Sequence, residues 1–207
     1  MRFILKIKLP SWLQRLLISA LLFFYRLRFG SSACFIYIAR LRFAVVDPAD
    51  YDKLINFKWR LCRSGRIRYA FCTLSRAPLL PPKALFMHHL VLTPPPGFCI
   101  DHINHNGLDD RLQNLRIATP SENHQNTRKT KSKTSSKYKG VDFVKPTRKW
   151  RARIALNTKR LFLGSFTDEL SAAKAYDEAA IRYFKEYACL NFRREDYINE
   201  LNKSQDT

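Results

Sequence analysis

Cys99–Asn126 reads CIDHINHNGLDDRLQNLRIATPSENHQN. Phe98–His102 has the character of a short strand and ends in an Asp-His pair. Ile103–Asn114 is a long polar loop with Asn106-Gly107 as its turn signal. Leu115–Ala118 reads as a second strand. Thr119-Pro120-Ser121-Glu122 is a capping box with proline at the first helical position, so a helix starts there. The segment therefore predicts strand, loop, strand, helix. Asp101 and His102 end the first strand, and Asn123 lies in the first turn of the helix.

These residue types suit phosphodiester hydrolysis. That reaction needs an activated water and neutralisation of charge on the leaving oxygen, and a hard cation held by oxygen ligands does the second job. Asp101 offers a carboxylate and Asn123 an amide carbonyl. Two protein ligands leave room for waters and phosphate oxygens, as Mg²⁺ prefers. A neutral imidazole accepts a proton near pH 7, and His102 adjoins the expected metal ligand. Neighbouring residues on a strand point to opposite faces, so both can work only if the strand ends or twists there. Each residue also has a plainer reading: a structural histidine, an Asn114 that satisfies loop backbone, an Asn123 that is an ordinary polar helix residue. The combination carries the expectation.

Upstream, Ile38–Val46 reads as one strand. Asp47 is expected to cap a short helix with Pro48 at its first position and Asp50 in its first turn. Trp59, Tyr69–Cys72 and Leu85–Leu92 look like short strands, with a turn at Pro81-Pro82 and a stiff connection through Thr93–Gly97. Residues 1–36 differ in kind. Leu16–Tyr25 is a mostly apolar run flanked by Arg2, Lys6, Lys8, Arg15, Arg26 and Arg28. It falls short of the roughly twenty residues needed to span a bilayer. A dispensable extension is the expectation, with a signal peptide or membrane-surface helix as the alternatives.

Downstream, Arg128–Lys137 (RKTKSKTSSK) reads as a flexible basic linker. Three strands follow: Gly140–Val144, Trp150–Leu156 and Lys159–Phe166, the last two joined by a tight turn at Asn157-Thr158. Alternation puts Trp150, Ala152, Ile154, Leu156, Leu161 and Leu163 on one face and Arg151, Arg153, Arg160 and Phe162 on the other. Asp168–Tyr187 is an amphipathic helix with Thr167 as expected N-cap. Its expected apolar stripe is Ala172, Ala173, Tyr176, Ala179, Ala180, Tyr183 and Tyr187. The helix would cover one sheet face and leave the arginine face open.

Charge points to the partner. The chain has 37 Lys and Arg against 17 Asp and Glu, a formal net charge of +20. A polyanion fits, either nucleic acid or an anionic membrane surface. Between Gln125 and Ser165 stand 13 basic residues and one acid, Asp142. The five cysteines, Cys34, Cys62, Cys72, Cys99 and Cys189, include no C-x-x-C pair, which fits a reduced chain with idle thiols.

The segments MHHLVL, CIDHINHNGLDDRLQNLR and ATPSENHQN, with FAVVDPADYDKLINFKW upstream, resemble the homing-type HNH endonucleases of phages and mobile elements. The resemblance covers roughly Ile38 to Asn126. It implies a ββα-metal fold, Asp101 and Asn123 as metal ligands, His102 as general base, Asn114 bracing the loop and orienting His102, and His88 supporting the site. His89, His105 and Asp110 depart from the residues usual there. Asp110, lying in the loop, is not expected to abolish catalysis. His124 and Asn126 are alternative ligands. SKYKGV, RKWRARI, LFLGSF, SAAKAYDEAA and ACLNF, over about Ser136 to Phe192, resemble the Apetala-two/ethylene-response-factor DNA-binding domain. That implies DNA-contact positions at Lys139, Arg153, Arg160 and Phe162, with Arg151 beside them on the same open face. Asp142 and Val144 stand where plant members carry arginines, and Phe162 stands for a tryptophan.

The expected protein is thus α+β. A ββα-metal HNH nuclease domain (37–127) precedes a three-stranded antiparallel sheet packed on one helix (138–193). The linker is 128–137, the extension 1–36 and the tail 194–207. The expected activity is Mg²⁺- or Mn²⁺-dependent cleavage of double-stranded DNA, directed by the second domain and needing no small-molecule cofactor. A monomer in the cytoplasm of a bacterial host, associated with the nucleoid and encoded by a phage or mobile element, fits. The rival is a non-cleaving DNA-binding regulator.

Overall fold

In the computed structural model the described residues are 11–30, 33–39, 42–74, 83–129, 135–157 and 159–197. Residues 1–10, the Pro81-Pro82 turn, the middle of the expected linker (130–134), Thr158 and the tail beyond 197 lie outside them. The chain divides into two compact units, Met1–Pro96 with Ile100–Ile117, and Gly97–Cys99 with Ala118–Thr207.

The first unit opens with a helix, α1 (Ser11–Phe29). Among the described residues no helix is long and apolar enough to cross a membrane. Tyr25 of α1 packs its ring edge-on against Phe35 and Phe43, each at 5.7 Å, so part of the expected extension lies on the folded unit. The single strand expected over Ile38–Val46 is instead a hairpin, β1 (Cys34–Ala39) against β2 (Arg42–Val46). The correction has a physical cause. Ile36 and Ile38 carry their own apolar alternation, and folding back buries them on the same side as Ala44 and Val46. The extension boundary expected after Ile36 therefore falls inside β1.

α2 (Pro48–Ile55) starts at the expected proline. Asp47 occupies the N-cap position with extended backbone, but its side chain makes no capping bond. Its Oδ2 accepts from the backbone N–H of Leu112 at 2.7 Å, a tertiary contact that local sequence does not foretell. β3 (Arg60–Ser64), β4 (Ile67–Leu74) and β5 (Lys83–Phe86) form an antiparallel sheet. The strand expected over Leu85–Leu92 stops at Phe86. A helical turn, α3 (His88–Val91), replaces its second half, where Leu90-Val91 no longer alternates. Ile36, Ala44, Val46, Leu54, Trp59, Ala70, Met87 and Leu108 belong to the core, and the Trp59 indole N–H donates to the Leu54 carbonyl at 2.7 Å. β6 (Cys99–His102) and β7 (Leu115–Ala118) form a two-stranded sheet.

In the second unit α4 (Pro120–Gln125) carries the predicted capping box, with Thr119 and Glu122 each bonding the other's backbone N–H. β8 (Val141–Val144), β9 (Lys149–Leu156) and β10 (Lys159–Phe166) make an antiparallel sheet in the order β10-β9-β8. Ala152 and Ile154 face α5 (Glu169–Phe184) and are buried. The N-cap of α5 is Asp168, not Thr167: Asp168 has extended backbone and accepts from the Ser171 N–H at 2.8 Å. The buried arc of α5 is also rotated from the expected stripe. It includes Asp177 and Phe184, while Tyr183 is exposed. Gly140, with φ +77°, lies so close to the helix that a Cβ there would sit 1.9 Å from the Tyr176 ring. Glycine is required there by both conformation and contact.

Asp177 ties down the segment after α5. Its carboxylate accepts from the backbone N–H groups of Asn191 and Phe192, the Asn191 amide and the Tyr197 hydroxyl, all at 2.8–2.9 Å. Asn191 in turn bonds both backbone groups of Lys139. Asp177→Ala strands these buried donors and is expected to lower stability by about 3 kcal/mol. A denaturant titration of the wild type and the variant, monitored by far-UV circular dichroism, checks this.

Candidate active site and nucleic-acid interface

The loop between β6 and β7 is built from short-range polar bonds and docks on the edge of the first hairpin. The Val45 N–H donates to the Leu108 carbonyl at 2.7 Å, and the Asp110 N–H to the Val45 carbonyl at 2.8 Å. Gly107 makes room for the approach of β4, since a Cβ there would lie 2.6 Å from the Arg68 carbonyl and the Tyr69 ring. Asp109 is sealed from solvent. It is met by Arg111 at 2.7 and 2.9 Å and by the Asn104 amide at 2.8 Å. Asn114 spans the loop: its amide donates to the Asp109 carbonyl at 2.7 Å, and its oxygen accepts from the Asn104 N–H at 3.0 Å.

Asp101 and His102, both 4% exposed, take separate partners, as alternation along a strand requires. The Asp101 Oδ2 accepts from Arg116 Nε at 2.8 Å and Nη2 at 2.7 Å. His102 Nε2 lies 2.9 Å from Asp110 Oδ1. Burial pushes the Asp110 carboxyl above its ordinary value, although its bond to His102 and the charge there pull the other way. Its second oxygen, Oδ2, is buried and has no hydrogen-bond partner among the described residues. His88 packs against the His102 ring with centroids 5.1 Å apart. Burial, with smaller contributions from His102 and His89, drives His88 down to about 3, so it is neutral at ordinary pH. His88, His102 and Asp110 bring ligand atoms within 4.8 Å of one another.

The first unit thus holds Asp101, His102, His88 and Asn114 of the expected set. Asn123 lies on α4 in the second unit, as does the alternative His124, and Asn126 is the C-cap of that helix. The contacts of Asp109, Asp110 and Arg116 are what sequence reasoning missed, Asp110 having stood out as a departure from the residue usual there. A further signal for the carboxylates was a pair of adjacent acids, Asp109-Asp110, in a strongly basic chain. Arg116 closes the Asn114-Leu115-Arg116 step of the segment that resembles the HNH endonucleases, which marked its position but not its partner.

In the second unit β9 and β10 present Arg151, Arg153, Arg160 and Phe162 on the face away from α5, and Phe162 is 58% exposed. Asp142 sits among them, opposite Arg151 in the ladder. Lys139 differs from the other expected contacts. Its ammonium donates to the Gln125 carbonyl at 2.7 Å, and burial lowers its pKa. Ser136, at the end of the expected linker, is buried and donates to Glu169 at 2.7 Å.

Comparison with known proteins now places the chain. A family profile described as HNH endonuclease matches residues 93–125. An HNH endonuclease of Acanthamoeba polyphaga mimivirus, L560, is 30% identical over 152 residues, 72% of this chain and 74% of that protein. Protein 3.8 of Escherichia phage T7 is 42% identical over 66 residues, 32% of this chain and 54% of its own length. APETALA2-like protein 2 of Oryza sativa is 38% identical over 77 residues, 37% of this chain but 18% of the plant protein. The chain belongs to the HNH endonuclease family, and it joins the HNH segment to an Apetala-two-type region. It spans about half the length of the T7 relative and under a fifth of the rice one.

The bonds of Asn114 predict that Asn114→Ala loosens the loop rather than the core. Exchange of the Asn104 amide hydrogen, which donates to the Asn114 side chain, should accelerate about tenfold, the equivalent of one lost hydrogen bond. Core amides in β2 and β4 should be unchanged. Hydrogen–deuterium exchange resolved by residue checks this.

Proposed function

We propose that the protein is a divalent-metal-dependent endonuclease of double-stranded DNA, of homing type, in which the Apetala-two-type region supplies affinity and register. The observation that carries the reading is the buried Asp101–His102 pair at the end of β6, within the segment that matches the HNH endonuclease profile. The names of the relatives, nucleases on one side and Apetala-two-type proteins on the other, support both halves. The net charge of +20 suits a polyanionic substrate.

Asp101 and Asn123 would hold the cation. Carboxylate and amide oxygens are hard donors that suit Mg²⁺ or Mn²⁺, and the cation would neutralise charge on the leaving oxygen. The chain's own residues do the rest. His102 takes a proton from the attacking water. An imidazole whose Nε2–H donates to a carboxylate carries its basic lone pair on Nδ1, and the Asp110 contact at 2.9 Å supports Nδ1 as the nitrogen that accepts that proton. His88, neutral and packed on His102, limits how the ring can turn. Asn114 keeps the loop closed and so keeps Asp110 against His102. Arg116 offsets the Asp101 charge where it is buried. Lys139, Arg151, Arg153, Arg160 and Phe162 would contact DNA, the arginines by guanine edges or phosphates, with a sheet able to enter the major groove.

The same Arg116–Asp101 pair is the one observation that favours the rival. A carboxylate already matched by a guanidinium is what a non-cleaving DNA-binding regulator would keep as a structural pair. Cleavage of supercoiled plasmid and phage DNA separates the two. The wild type should cut with Mg²⁺ or Mn²⁺ and stop with EDTA. His102→Ala should lower cutting at least a hundredfold, the usual worth of a general base, and Asp101→Asn, which removes the charged ligand, should also lower it. DNA binding in a gel-shift assay should persist in both. Salt-sensitive binding with no cutting under any divalent metal would establish the regulator.

A further inference from the structure

Asp142 is the one acid in the basic stretch from Gln125 to Ser165, and it stands on the edge strand β8, beside the arginines of the central strand β9 on the open sheet face. Its two carboxylate oxygens go to two different arginines on the neighbouring strand. Oδ2 accepts from Arg151 Nη2 at 2.7 Å and Oδ1 from Arg153 Nη2 at 2.8 Å. Arg151 is directly opposite in the ladder, and Arg153 is two residues on, facing the same side. All three side chains are about one-third exposed, at 34%, 33% and 30%. Burial alone would raise the Asp142 carboxyl, but the hydrogen bonds and charges of the two arginines hold it below the ordinary carboxylate value.

An ion pair this exposed contributes little to folding. Its effect is geometric. Arginine has a large side-chain rotamer entropy, and a guanidinium pinned at one end has much of that ordering done before any ligand arrives. The carboxylate also changes what the face can touch. It repels a phosphate, but it can accept from the cytosine N4 amino group, while a guanidinium can fork to O6 and N7 of guanine. An acid bracketed by two fixed arginines is therefore better matched to the edges of G·C pairs than to the phosphate backbone.

We propose that Asp142 is a specificity-determining residue: it clamps Arg151 and Arg153 into a fixed donor array that selects guanine in G·C pairs and turns the face from phosphate gripping to base reading. The proposal rests on the reading of this face as the DNA-binding surface, and the test keeps the two apart.

The test is selection from a pool of duplexes with randomised centres, using the full chain in EDTA, followed by affinity measurement on selected and unselected duplexes. The wild type should enrich guanine at two or more positions. Asp142→Asn removes the charge with little change in shape. It should reduce preference at those positions about tenfold, the equivalent of one bidentate base contact. It should bind the unselected pool as tightly as the wild type or more tightly, and with a steeper salt dependence. Asp142→Glu restores a carboxylate and should recover part of the preference. The proposal is overturned if Asp142→Asn keeps the same base preferences and tightens binding uniformly, since Asp142 would then act only as a screening charge. A wild type that selects no guanine overturns it as well. The broader reading of the face fails separately, if Arg151→Ala/Arg153→Ala binds both the selected and the unselected duplexes as tightly as the wild type. Unchanged thermal unfolding of Asp142→Asn shows that any loss of preference is not a loss of fold.

Discussion

Two adjacent carboxylates, Asp109 and Asp110, are sealed from solvent in a loop that has no sheet of its own to carry them. A buried carboxylate is costly unless its charge is met and its lone pairs are filled. The loop meets that demand in full for Asp109 and only in part for Asp110, whose Oδ2 has no hydrogen-bond partner among the described residues. Asp109 is gripped by Arg111 and Asn104, and Asp110 is placed against His102. Backbone bonds join Val45 to the Leu108 carbonyl and to the Asp110 N–H and so bracket Asp109. Remove either carboxylate's partner and the loop loses the reason for its path, and with it the position of the histidine that would do the chemistry.

The second unit solves a related problem with Asp177. Here the carboxylate receives donors from the chain after α5, so a segment with few regular bonds of its own is fixed to the helix that backs the sheet. Gly140 and Asn191 complete the closure, one by yielding space to the Tyr176 ring and the other by bonding both backbone groups of Lys139. The sheet face opposite the helix is left unsupported by packing. Its side chains are ordered instead by the cross-strand pairing of Asp142 with two arginines.

Much of this was legible from local patterns. The capping box at Thr119–Glu122, the three strands of the second unit and the division of β9 into an apolar and an arginine face all follow from short-range rules, and the structure has them. Legibility failed where a tertiary partner outbid a local one. Asp47 has the sequence of a cap, yet it bonds Leu112, sixty-five residues away. Ile38–Val46 has the composition of one strand, yet Ile36 and Ile38 find better burial by folding back on Ala44 and Val46. Tyr183 fits the helical period, yet the packed arc of α5 turns toward Phe184.

By itself the sequence determined the residue types capable of hydrolysis, their order along a strand-loop-strand-helix segment, the basic character of the second half and the faces of its sheet. The strand faces and the helix start depend on spacings of two or three residues along one element, which a chain cannot alter by folding. Tertiary structure alone decided which groups meet those residues: Asp110 at His102, Arg116 at Asp101, Asp142 between Arg151 and Arg153, and Gln125 at Lys139. Such pairings are settled by burial and by the need to satisfy every charge removed from water. That accounting closes only once distant segments have been brought together.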